Sequence, residues 1–332
     1  MKINSIFTDN MVLQANAPVR IFGEGAGEIY AQIDNLSGSV SCNGEKFVLE
    51  LSSHDYGGPY DMKITLNGEE RIIKNIYFGD VFLVAGQSNL QLKLFETVTP
   101  KEEYKSNPLL RLFTLERPEE GEFFFPKDGW VVAEEESVDK WTAIGYLCGN
   151  IHSQKTGHAV GLVACYQGAS MIQSWLPKGI LNGTECDIAT EEKSGHMRPP
   201  EYMLWNGDGF LYNKMFLKYA PFATKAVIWY QGESNSEPPE NKTEIYVGML
   251  RRLIEKWRED LKDDKLPFIV VQLPNLNGVS CPEGWDAVKR AQAQITDVCE
   301  NTFCVVSEDI CEDNHIHPPT KLPLAQRIAE LL

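Results

Sequence analysis

Five short apolar runs, at residues 81–85, 160–165, 226–230, 268–273 and 303–306, alternate with stretches of helical spacing at 141–155, 211–218, 246–261 and 285–299. Parallel strands cannot be joined by tight turns, so strands separated by helices imply a largely parallel sheet with helices on both faces. The start of the chain reads differently. Short alternating segments at 19–22, 29–33, 47–51 and 62–66, separated by Gly, Asn, Asp and Ser turns, predict a small sandwich-like β domain over residues 1–76. The α/β part then occupies residues 77–332, and a chain of 332 residues is long enough for one large and one small domain. Two segments rich in polar residues and proline, 100–129 and 179–207, read as loops over the surface. In such folds, long irregular segments cover or line the active face.

A formal charge of −16 argues against nucleic acid or an anionic membrane as the partner, because phosphate binding needs clustered Lys and Arg. The opening MKINSIFTDNMVLQ lacks the unbroken apolar stretch of a secretion signal, and no later segment is apolar enough to span a bilayer. Eight cysteines lie scattered without CxxC pairs, and Cys165 and Cys304 sit inside apolar runs as small hydrophobes. These features predict a reduced, cytoplasmic protein. The sequons at Asn35, Asn182 and Asn241 then carry no weight.

Strand ends in a parallel sheet converge on one edge, and ligands bind there. Four segments fall at such ends: Gly86-Gln87-Ser88-Asn89, Gly168-Ala169-Ser170, Gln231-Gly232-Glu233-Ser234-Asn235, and the stretch leading to His317 and Pro318. Acyl transfer needs an activated nucleophile, a base within reach of it and donors aimed at the developing oxyanion. Ser88 is the candidate nucleophile, His317 the base, and the amides of Ser88 and Gly168 with the side chain of Gln231 the donors. Asn235 is a further candidate donor. The plain alternative for Ser88 is a helix N-cap. Glu308, Asp309, Glu312 and Asp313 form a dense acidic patch before His317, which predicts a raised imidazole pKa and activity lost on the acid side of neutrality.

The runs FGDVFLVAGQSNL, LYNKM followed by PFATKAVIWYQGESN, LPFIVVQLPN, RAQ at 290–292 and the terminal IHPPTK, with the opening IFTDNMVLQANAPVRIFGEG, resemble the sialate O-acetylesterase family of SGNH hydrolases. The resemblance spans nearly the whole chain with its motifs in order. It implies a flavodoxin-like three-layer SGNH hydrolase domain with a small N-terminal β domain, a serine esterase mechanism and removal of acetyl groups from sugars. The implied partner is an acetylated mono- or oligosaccharide, and neither a metal nor an organic cofactor is required. Two positions depart from the pattern. Ala169 follows Gly168 where relatives often have a second glycine, and Asn314 occupies the usual aspartate position three residues before the histidine. Asp313, one residue further back, is the candidate third member of a triad; a Ser-His dyad with a backbone carbonyl is the alternative.

Gln87, Gln173, Trp175 and Glu233 are candidate sugar contacts, and Tyr166 and Trp205 candidate stacking platforms, with core packing the competing role for each aromatic. Glu233 as a glycosidase acid is disfavoured, since that chemistry has no use for a Ser-His pair, and a brace that holds its loop by accepting backbone hydrogen bonds is the favoured role. His315 and His317, two residues apart, lack a third ligand at zinc-type spacing. His54, His152, His158 and His196 are expected to be structural. A sialic acid would call for a cation near the cleft, for which Lys193 and Arg198 are the candidates; acetylated xylan or mannan fragments are the rival substrates. A non-catalytic sugar-binding protein, using the β domain, is the rival of another class.

Overall fold

Turn residues in the first third of the chain set up long antiparallel ribbons. In the computed structural model, which describes residues 2–118, 129–187, 204–236 and 242–332, this region forms β1 (Lys2–Ile3), β2 (Val12–Gln14), β3 (Val19–Ile33), β4 (Leu36–Leu51), β5 (Gly57–Leu66) and β6 (Glu69–Gly86). Asn67 and Gly68, both at positive φ, close the β5–β6 hairpin, as a two-residue turn between right-twisted strands demands. The segments expected at 19–22 and 29–33 are one strand, irregular between Glu24 and Ala26. Its inward residues Ile29, Ala31 and Ile33 are wholly buried.

β6 changes character along its length. Its first part pairs antiparallel with β5, its last seven residues run parallel to a strand on one side, and the last five of these also run parallel to a strand on the other. Burial follows: an alternating pattern gives way to the unbroken buried run of a strand covered on both faces. The expected boundary between residues 76 and 77 therefore falls inside a continuous strand.

The remaining strands are β7 (Asn107–Thr114), β8 (Val131–Ala133), β9 (Val160–Tyr166), β10 (Ala226–Tyr230), β11 (Phe268–Val271) and β12 (Thr302–Val305). Their order is β8-β7-β9-β6-β10-β11-β12, parallel throughout except for β8. The chain moves first to one side of β6 and later to the other, so the crevice at the carboxyl end of β6 is a topological switch point. Helices pack in two pairs, Ala143–Thr156 with Leu322–Glu330 and Thr243–Leu261 with Pro282–Val298. Thr142 caps the first of these by accepting from Gly145 N–H, and Gly157 ends it in a left-handed conformation.

β7 corrects the reading of 100–129 as a surface loop. Arg111 interrupts its apolar run, yet the side chain is buried with its guanidinium 4.2 Å from the centre of the Tyr77 ring, so a central charge is absorbed rather than exposed. The helix expected at 211–218 is a π-helical turn, Tyr212–Phe216, continued by Leu217–Tyr219. Lys193, His196, Arg198 and Asn241 lie outside the described residues.

At the opposite end of the sheet from the switch point, Asp80 joins the two strand systems. Its fully buried carboxylate accepts from Tyr56 Oη at 2.9 Å, Lys225 Nζ at 2.9 Å and His152 Nε2 at 2.7 Å. These partners outweigh burial and hold the carboxyl well below its usual range. His158 stacks on Tyr56, and His54 pairs with Asp34, so these three histidines have structural partners.

Candidate active site

Gly86 ends β6 at φ 144°, where a Cβ would lie 2.1 Å from the Tyr230 carbonyl oxygen. Only glycine permits that approach. Gln87 N–H then donates to the same carbonyl at 3.0 Å, and the chain enters the short helix Ser88–Gln91. Gln87 and Asn89 point inward and are buried, whereas Ser88 between them is half-buried. Gln87, not Ser88, takes the cap position, and no side-chain cap bond forms, so Ser88 is not an N-cap.

The Ser88 hydroxyl is met by a side chain from the far end of the chain. His317 Nε2 lies 2.7 Å from Ser88 Oγ, a hydrogen-bonding distance for a base and a nucleophile. The His317 residue is exposed, yet protein packed against the ring removes enough water to lower its pKa. The Lys321 ammonium lowers it further, and Glu96 opposes both weakly.

That direction reverses the expectation drawn from the acidic patch, whose carboxylates are engaged elsewhere. Glu308 pairs with Lys289 at 2.9 Å, Asp309 takes both arms of the Arg327 guanidinium, and Glu312 accepts from Thr320 Oγ1 and N–H. Asp313 is exposed, and its backbone carbonyl accepts from Asn277 N–H. Among the described residues no hydrogen bond or ion pair joins the Asp313 carboxylate to His317, so the expected third triad member is not in place.

Gly168 lies beside the nucleophile: a Cβ there would be 3.7 Å from Ser88 Cβ. Its N–H donates to Gln91 Oε1 at 2.9 Å. Ala169 follows at φ 52°, completing the sharp turn after β9. No acceptor for Ser88 N–H is found among the described residues.

The other expected donors and sugar contacts are internal braces. Gln231 is fully buried; its Nε2 lies within 3.1 Å of Gln87 Oε1, Ser170 O and Asn235 Oδ1, and its Oε1 accepts from Tyr246 Oη. Asn235 is equally buried, donating to Gln173 Oε1 and accepting from Ile172 N–H. Gln87 Oε1 also accepts from Gly232 and Ser234 N–H. Trp175 is wholly enclosed against Trp229 and Trp257, with its Nε1 donating to Ser170 Oγ. Tyr166 is buried as well, and Trp205 half-buried. Gln87, Gln173, Trp175, Gln231, Glu233 and Asn235 are therefore nearly or wholly buried and fix the loops around Ser88 from beneath.

Beneath the Ser-His pair lies a buried polar cluster that sequence reasoning missed. Asn89 Nδ2 donates to Glu233 Oε1 at 2.5 Å and to the Ile316 carbonyl at 3.0 Å, and Asn89 Oδ1 accepts from Lys321 Nζ at 2.7 Å. Burial pushes Glu233 up to about 7 and Lys321 down to about 8. Gln91 was also missed. Its signal was spacing alone, since a residue three positions after Ser88 shares its helix face.

The sequence model of the family described as SASA, carbohydrate esterase, sialic acid-specific acetylesterase, matches residues 78–332, which include Ser88, Gly168 and His317. The chain belongs to this family. Similar proteins include sialate O-acetylesterase of Homo sapiens, 25% identical over 324 residues, and that of Mus musculus, 25% identical over 329 residues. The matches cover 87% and 82% of this chain, which spans 60% of the length of each relative. A solved structure described as a carbohydrate acetylesterase from Xanthomonas citri is similar over 99% of this chain and 74% of its own, with 26% identity and a TM-score of 0.83.

Proposed function

We propose that the chain is a serine carbohydrate O-acetylesterase, acting on acetylated sugars of the sialic acid type. In this reading the parallel strands and two helix pairs form a three-layer, flavodoxin-like SGNH hydrolase, and the N-terminal ribbons form a lesser β unit against it. The observation that carries the proposal is the 2.7 Å contact between Ser88 Oγ and His317 Nε2, beside the Gly168 amide and at the switch point of the sheet. Family membership supplies the chemistry to which that contact belongs.

The steps follow from the geometry. His317 Nε2 takes the Ser88 hydroxyl proton as Oγ attacks the acetyl carbonyl carbon. The oxyanion is received by Ser88 N–H and by Gly168 N–H, the second becoming available when Gln91 Oε1 swings away. His317 returns the proton to the departing sugar oxygen, leaving acetyl-Ser88. Water, deprotonated by His317, then attacks the acetyl carbon, and Ser88 recovers its proton as acetate leaves. A neutral imidazole is needed at the start, which the lowered pKa of His317 favours near neutral pH.

Ser88→Ala tests this directly: acetate release from acetylated sialic acids should fall to background while urea unfolding is unchanged. Running acetylated xylo- and manno-oligosaccharides alongside ranks the sugars. Undiminished release by the variant would refute Ser88 as nucleophile, and glycan binding without release by the wild type would favour a binding protein.

A further inference from the structure

The Asn89 carboxamide has one orientation that satisfies its surroundings. An ammonium can only donate and a carbonyl only accept, so Oδ1 must face Lys321 and Nδ2 must face Glu233 and the Ile316 carbonyl. Asn89 and Lys321 are both completely buried, and Glu233 is nearly so. Asn89 is also next in sequence to Ser88, and Ile316 is next to His317. One side chain therefore ties the backbone that carries the base to the backbone that carries the nucleophile.

Lys321 closes the same segment from its other end. It stands at the start of the helix Leu322–Glu330, whose first turn is anchored by Ala325 N–H donating to the Lys321 carbonyl at 2.9 Å. Between Ile316 and Lys321 lie Pro318 and Pro319, whose rings fix φ and leave the segment few ways to bend. His317 is thus held in a short stiff arc with both ends tied to Asn89.

We propose that Lys321 is a positioning residue, which acts through Asn89 to hold the His317 arc in register with Ser88 in place of a triad carboxylate. The proposal rests on Ser88 and His317 being the reacting pair. It has an electrostatic corollary. The titratable groups around Lys321 are the Cys311 thiol, which burial keeps protonated, Glu233 and Glu312, with the Tyr230 ring 5.5 Å from Nζ; those acting on His317 are Lys321 and, more weakly, Glu96. The Lys321 charge disfavours a second positive charge on the ring, so removing it makes His317 easier to protonate.

The test compares Lys321→Met, Lys321→Arg and Asn89→Ser through pH profiles of kcat and KM on a chromogenic acetate ester, with urea unfolding as the control for folding. Lost alignment predicts a kcat drop of roughly 10- to 100-fold in Lys321→Met, as expected for a reacting group displaced by about an ångström. KM should stay within about twofold on the same argument, since only the reacting geometry is altered. The acid limb should move to higher pH in Lys321→Met, stay in place in Asn89→Ser despite a similar fall in kcat, and return toward wild type in Lys321→Arg. If Lys321→Met does not fold, Lys321→Arg and Asn89→Ser carry the test through the same kcat and pH readouts. A folded Lys321→Met with wild-type kcat, or with lower kcat and an unmoved acid limb, overturns the proposal. Ser88→Ala separates the two levels: if it is inactive while the Lys321 and Asn89 variants are normal, only the positioning role fails.

Discussion

Gly86→Ala is the change most directly opposed by the geometry around Ser88. A Cβ at this position would lie 2.1 Å from the Tyr230 carbonyl oxygen and 2.7 Å from its carbon, against 3.4 Å or more for ordinary contact. Neither atom is the free end of a side chain, so β6 and β10 must separate where Gly86 pairs with Tyr230. Holding alanine at φ 144° costs about 1–3 kcal/mol, and forcing an extra carbon into a packed interior costs a further ~1–3 kcal/mol. The expected loss is therefore about 2–6 kcal/mol, read as a lower urea midpoint with little change in slope. Activity should fall further than stability. The shift moves the strand end that carries Ser88, and an ångström at that site is worth roughly a hundredfold in rate. Unchanged stability within about 1 kcal/mol together with unchanged kcat would refute the argument, because a backbone clash of this size cannot be absorbed silently.

Three further outcomes follow from the same structure. The kcat/KM profile should lose activity as pH falls through the His317 pKa, with a midpoint below the ordinary histidine value of 6.5; a midpoint above it would mean that nearby carboxylates dominate after all. Asp313→Asn should leave kcat/KM within about twofold of wild type, the size of an ordinary surface change, and a loss of a hundredfold or more would restore Asp313 as a triad member. Asp80→Asn should cost about 1–3 kcal/mol in urea unfolding, because the buried carboxylate that accepts from Tyr56, Lys225 and His152 is replaced by an uncharged amide, with Lys225 one-third exposed and so partly solvated. Since the folded-state pKa of Asp80 is depressed, its contribution is present above the unfolded carboxyl value near 4 and is lost as pH falls toward the folded one; the gap between wild type and variant should close in strong acid, and a gap independent of pH would exclude the Asp80 charge as its cause.

The parallel half of the fold was legible because its strands are buried on both faces and read as unbroken apolar runs. β10 was expected at 226–230 and is Ala226–Tyr230. β7 escaped notice for the opposite reason. Asn107 and Pro108 open it and Arg111 sits at its centre, and nothing local reveals that the Tyr77 ring will receive the guanidinium. The division at residue 76 falls within one strand on similar grounds. Polar alternation ends near there, but hydrogen bonding does not, and β6 continues from one set of partners to the next.

The site divides along the same line. Ser88, Gly168 and His317 could be picked out because each follows a strand and carries the chemistry acyl transfer needs, and the structure brings Ser88 to His317 and sets Gly168 beside Ser88. Side-chain direction was not legible. Gln231, Asn235, Gln87, Gln173 and Glu233 belong to the right loops, yet they turn inward, the first four hydrogen-bonding among themselves and Glu233 accepting from Asn89, because a strand end crowded with backbone groups must satisfy those groups before it can offer donors to a ligand. The acidic patch misled for a related reason. Proximity in sequence counts every nearby carboxylate toward the histidine, whereas Lys289, Arg327 and Thr320 had already claimed Glu308, Asp309 and Glu312. What governs the imidazole is its burial, and the charge of a lysine four residues downstream, opposite in sign to the patch, acts in the same direction and lowers the His317 pKa further.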